Sequence, residues 1–222
     1  MKTPLYNPNS DQPQLARDIR RLEQDILRMG ALVEKSCRLS HSALFEQDIQ
    51  AVAQLPKLDK KIDAFYKQVE SDCTSIITRH NPGEQDLRCL SAFMQLVRDL
   101  ERIGDYAQDL ADIAVKLLPY PSHPTLNEVA MMSRHAQAML ACSLEALGDL
   151  DETKGRNIKY LDDEVDNAYE RVYQSLAQQR DVKGVLEPYI LWGLTIRCLE
   201  RMADHATNIG SRVTYIVTGQ RG

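Results

Sequence analysis

The chain has little of what several protein classes require. Only five of its 222 residues are cysteine, at positions 37, 73, 89, 142 and 198, an odd number with no CxxC pair. That spacing fits buried thiols in a reducing cytosol better than a disulfide framework or a zinc site. Aromatics make up 6%, and there are only 10 glycines and 9 prolines, which argues against the many short strands and turns of a sandwich or barrel. The longest apolar run, Tyr189 to Leu194, is far short of the ~20 residues that span a bilayer. The opening residues are polar and proline-rich, without the apolar stretch of a secretory signal, so the chain reads as soluble and cytoplasmic with no direct membrane insertion. Positive charge is in deficit, 27 Lys plus Arg against 32 Asp plus Glu, a net of −5. Nucleic acid, which demands a basic surface, is therefore not the expected partner. No P-loop, GxGxxG, GxSxG or HExxH occurs, and no Ser or Cys stands in a nucleophile context.

What is present is a helical pattern. Leu87, Leu90, Phe93, Met94, Leu96, Val97, Leu100, Ile103 and Ala107 recur at spacings of three and four, and nothing of comparable length alternates with period two. Pro119, Pro121 and Pro124 fall within six residues and cannot continue a helix. The pattern predicts six long helices, at about 15–52, 57–80, 84–118, 125–150, 156–180 and 185–218. An internal repeat organises them. At an offset of 103, Met29 meets Met132, Leu44 meets Leu147, Asp59 meets Asp162, Asp63 meets Asp166 and Tyr66 meets Tyr169. At an offset of 99, Arg98, Glu101, Arg102 and Asp105 meet Arg197, Glu200, Arg201 and Asp204. The expected fold is all-α, two tandem three-helix bundles related by duplication. Its expected parts are a flexible tail (1–14), a first bundle (15–118), a Pro-rich linker (119–124) and a second bundle (125–222).

Acidic residues mark the candidate site. Glu101, Asp105 and Asp109 are spaced by four and share one helix face, as do Glu200, Asp204 and Asn208. The second helix of each half carries a further acid pair, Asp59 with Asp63 and Asp162 with Asp166. Like charges four apart destabilise an isolated helix, so four such arrangements at equivalent places call for a cation. Neighbouring helices would turn these pairs towards each other. Oxygen donors without His or Cys suit hard cations, and several carboxylates can bridge more than one ion. The competing explanation is a solvated ion-pair lattice, because Arg98, Arg102, Arg197, Arg201, Lys60 and Lys61 accompany the acids. A ferritin-like di-iron site is excluded, since no His is preceded three residues earlier by Glu. His205 beside Asp204 points about a quarter turn away and reads as a solvated or core-edge residue. Met131, Met132, Tyr66 and Tyr169 read as packing.

The segments RDLERIGDYAQDLA and RCLERMADHATNIG, with DKKIDAFY and DDEVDNAY on the preceding helices, closely resemble the duplicated motif of the PhoU family of phosphate-signalling regulators. The likeness runs from about Leu15 to Gly219. It implies two three-helix bundles with acidic surface sites for divalent or trivalent metal ions, in some members polynuclear; Mg, Mn, Fe and Zn all remain open. Carried over by position, one site comprises Asp59, Asp63, Glu101 and Asp105, and the other Asp162, Asp166, Glu200 and Asp204. Asp109 stands where the second copy has Asn208, the residue usual in the family, which makes the first site the more acidic. The resemblance further implies a non-enzymatic, homodimeric negative regulator of phosphate uptake and of the phosphate-starvation response. Its implied partners are the ATPase subunit of a phosphate ABC transporter and a phosphate-sensing histidine kinase. A carboxylate-bridged metalloenzyme and a purely structural helical scaffold stand as alternatives.

Overall fold

The apolar stripes expected from the sequence form helices in the computed structural model, which describes residues 13–179 and 184–220. These are α1 (Pro13–Phe45), α2 (Ile49–Val52), α3 (Leu55–His80), α4 (Glu84–Leu117), α5 (Leu126–Asp149), α6 (Glu152–Ala177) and α7 (Glu187–Thr218). No strand occurs among the described residues. The expected tail residues 1–12, residue 180 of the fifth expected helix, and residues 221–222 lie outside them.

The first expected helix, 15–52, is wrong at its end, and the cause is local. After Phe45 the backbone turns left-handed at Gln47 (φ 56°), and Asp48 caps α2 by accepting from the backbone N–H of Gln50 and Ala51. One repeat later Leu150 is left-handed (φ 53°), and Asp151 caps α6 by accepting from Thr153 and Lys154. The offset of 103 maps one turn onto the other. α2 is therefore the first turn of helix two, not the last of helix one. Pro56, near the start of α3, cannot donate to a carbonyl four residues back, so helix two of the first half is broken into α2 and α3. Lys159 holds the equivalent place in the unbroken α6.

Within the first half, α1, α3 and α4 pack on one another, and α5, α6 and α7 do so in the second. The halves are not beads on a linker. α4 packs along α7, and α1 against α5, merging both seams into one apolar core that runs from Leu15 to Ile216. Phe93, Leu96 and Leu100 of α4 and Ile196, Leu199 and Ile209 of α7 are fully buried. Each such side chain contributes about 1.5–3 kcal/mol of burial. α4 and α7 run antiparallel, because Asp99 meets Asn208 while Tyr106 meets Arg201.

In the second half α6 and α7 approach closely through two glycines. A Cβ on Gly210 would lie 2.7 Å from the Gly155 carbonyl oxygen, and one on Gly155 would lie 2.7 Å from that of Gly210. Four of the five cysteines are buried, and all five are free. No helix among the described residues is long and apolar enough to cross a membrane.

Candidate functional site

The acid pairs sit where helix two and helix three of each half lie side by side. Leu58 and Ile62 bury one face of α3 against α4, and this leaves Asp59 and Asp63 at the seam's half-buried edge. On α4, Leu100 and Ile103 point into the core, placing Glu101 and Asp105 on the same edge. Ile158 and Val165 of α6, with Leu199 and Met202 of α7, repeat the arrangement around Asp162, Asp166, Glu200 and Asp204.

Electrostatics show that the carboxylates face one another. Burial pushes the Glu101 carboxyl up, and Asp105, Asp63 and Asp59 push it further while Arg102 opposes. Burial likewise raises Asp105; Arg102 offsets this, and Asp59 and Asp63 add to it. Asp59 rises through burial and then Asp63. In the second half burial, Asp166 and Asp204 push Asp162 up to about 6. Asp166 rises through burial and Asp204, and Glu200 through burial and Asp204 against its arginines. Asp162 also has an orphaned oxygen: its Oδ1 is buried without a hydrogen-bond partner. The nearby Thr207 hydroxyl tempers the rise, yet Thr207 Oγ1 is itself buried and unpartnered.

Arginines from the same helices hold part of this charge. Arg102 lies 3.0 Å from Asp105 and 3.5 Å from Glu101. Arg197 donates to both Glu200 oxygens at 2.7 and 2.8 Å, and Arg201 lies 2.7 Å from Asp204. The ion-pair lattice is thus real, but it leaves Asp59 and Asp162 repelled and half-buried. Oxygen-only donors, mutually raised carboxyls and an orphaned oxygen suit a cation. Among the described residues, however, no three His, Cys, Asp or Glu side chains converge closely enough to cage one ion. The donors are of the right kind and share a surface without closing on a point.

The ends of the two stripes lie elsewhere. Asp109 is exposed and is raised by burial and by Asp112, with Lys116 opposing; it also lies near Cys198 of α7. Asn208 donates to Asp99 of α4 at 3.5 Å. Asp109 thus reaches both ways, raising Asp105 of the acid pair as well as Cys198, while Asn208 meets Asp99 at the boundary between halves. His205 stands at that boundary too, its Nδ1 2.8 Å from Asp99 Oδ1. Sequence reading missed Asp99 because its repeat equivalent is Cys198, so no duplication drew attention to it. Met132 is packed as expected, whereas Met131 is 46% exposed beside Arg134.

Comparison with known proteins adds a family. Residues 26–114 and 129–213 each match the PhoU domain. The chain is 55% identical over 213 residues to a phosphate-specific transport system accessory protein PhoU homolog of Synechocystis sp., covering 96% of this chain and 95% of that protein. A homolog from Deinococcus radiodurans is 30% identical, covering 93% and 98%. The crystal structure of PhoU from Pseudomonas aeruginosa superposes with a TM-score of 0.89 at 28% identity, covering 93% of this chain and all of that one.

Proposed function

The chain belongs to the PhoU domain family, and from that premise we propose that it is a non-enzymatic accessory protein of phosphate transport, restraining phosphate uptake and the phosphate-starvation response. It acts in the cytoplasm as a homodimer, meeting the ATPase subunit of a phosphate ABC transporter and a phosphate-sensing histidine kinase. The names of its relatives, phosphate-specific transport system accessory proteins, support the system it serves. The start of α7 leaves Leu186, Ile190 and Leu194 exposed, an apolar surface suited to a protein partner.

The acid sites supply the second half of the reading. Asp59, Asp63, Glu101 and Asp105 would hold cations in one half, and Asp162, Asp166, Glu200 and Asp204 in the other. A bound ion supplies charge neutralisation there. The chain's own part is to keep helices two and three at a fixed separation through the Ile62 and Ile158 seams. The single observation that carries this is the twice-built meeting of carboxyls across neighbouring helices, each raising the next.

The test compares wild type with Glu101→Ala/Asp105→Ala for metal content by elemental analysis and for expression from a phosphate-responsive promoter. Reduced metal and derepressed expression are expected. Wild-type values for both would sink the proposal.

A further inference from the structure

A basic notch lies between α4 and α7, adjoining the carboxyl clusters but lined mainly by arginines. Although the chain carries a net charge of −5, this notch of about 320 Å³ is lined by Arg98, Arg102, Arg201 and Arg212 against one carboxylate, Asp99. Asp99 is already engaged by His205 at 2.8 Å. Arg102 and Arg201 are tethered from behind by Asp105 and Asp204. Arg98 and Arg212 form no ion pair among the described residues, and Arg212 Nε is buried with no hydrogen-bond partner. Folding thus gathers four guanidinium groups around a cavity with one carboxylate, while Arg98 also lies near Tyr66 of α3.

We propose that this notch is a binding site for a phosphate-type oxyanion, with Arg98 and Arg212 as its direct donors and Arg102 and Arg201 as its charged walls. Guanidinium presents a planar fork of donors that matches two phosphate oxygens at once, and it keeps its charge at any physiological pH. The cavity is at the small end of the range for small-molecule pockets, which suits a compact anion rather than a nucleic-acid strand. The repeat provides an internal control. At the offset of 99, Gln95, Asp99 and Arg212 correspond to Leu194, Cys198 and Ile113. The duplicated motif therefore supplies arginines on both sides of the α4–α7 contact, but only one side has the additional polar lining. The notch is not a by-product of the acid motif. The choice of phosphate among oxyanions rests on the accessory role proposed above; the donor geometry does not.

Calorimetric titration of the full chain with orthophosphate, and separately with tripolyphosphate, in phosphate-free low-chloride buffer tests the site. Saturable binding is expected for at least one, and tighter binding of tripolyphosphate would identify a phosphate chain rather than the free ion as the ligand. Arg98→Gln/Arg212→Gln should weaken binding at least tenfold. Gln95→Glu, which adds a negative charge to the notch while leaving every arginine in place, should weaken it comparably, and Arg156→Gln on α6 should leave it unchanged. Absence of saturable binding of either anion by the wild type, or wild-type affinity in the double variant, would overturn the inference. The calorimetric variants leave Glu101 and Asp105 in place, so failure of this inference is distinguishable from failure of the metal reading.

Discussion

The two halves share a motif but not an electrostatic state. In the first, Arg102 reaches both Glu101 and Asp105, so one cation is spread over the α4 acids. In the second, one Arg197 nitrogen is shared between both Glu200 oxygens and Arg201 pairs with Asp204, and among the described residues neither forms an ion pair with α6. Asp162 is left to absorb the repulsion, with its carboxyl near 6 and one oxygen orphaned. The sequence, counting Asp109 against Asn208, makes the first site the more acidic. In the structure Asp109 still raises Asp105, yet the largest shift falls on Asp162, so the more frustrated site is the second. Formal charge on a helix face is a poor guide to strain when counter-ions choose their partners in three dimensions.

The helix crossings differ as sharply, and they give the largest expected effect. Gly210→Val should cost about 3 kcal/mol, lowering Tm by roughly 6–12 °C, because the new side chain meets the Gly155 carbonyl and Ile158. At the equivalent first-half position, Ala111→Gly should cost only ~1 kcal/mol in thermal unfolding, the helix-propensity difference. Equal losses would show that the halves pack alike.

Next comes the cation. Mn²⁺ at a hundredfold over its Kd should stabilise the chelator-treated protein by ~2.7 kcal/mol per site, roughly 5–10 °C in Tm. Asp162→Asn/Asp204→Asn should remove more of that gain than Asp59→Asn/Asp105→Asn, because more repulsion is relieved in the second site. No shift in wild type would favour the ion-pair lattice.

Without metal, Asp162→Asn should itself stabilise the protein at pH 7 by ~1 kcal/mol after allowance for solvent screening, or about 2–4 °C. The sign follows from linkage: with a native value near 6 against 3.8 unfolded, the native state binds more protons between those values. Stability from this group is complete below the unfolded value and is lost as pH rises through about 6. A Tm profile across pH 4–7 should therefore fall less steeply in the variant; an identical slope would refute the assignment. The smallest effect belongs to Arg197→Ala. It removes an exposed pair that contributes ~0.5 kcal/mol, the middle of the range for such pairs, so a change in Tm of about 1–2 °C is expected.

Much of the fold was legible because helical periodicity and proline act locally. Six long helices and their order follow from apolar spacing of three and four and from the Pro119–Pro124 cluster. The misplaced boundary at 46–48 was legible too, through the repeat that aligns Asp48 with Asp151, but apolar spacing alone ran across it. The acid pairs were found because duplication kept them at equal spacing. The notch was not, since Arg98, Arg102 and Arg201 read as counter-ions of the acids. Arg212, seven residues beyond His205, carried no pattern at all.

The sequence by itself determined the helices, the duplication and the residues that carry negative charge, since each depends on neighbours within a few positions or on a fixed offset. Only the tertiary structure decided that the halves fuse into one core, that Asn208 meets Asp99 across the boundary, and that four arginines gather between α4 and α7. The physical reason is that burial and Coulomb interactions depend on distance through space. Positions more than a hundred residues apart, such as Asp99 and His205 at 2.8 Å, become neighbours only when antiparallel helices pack.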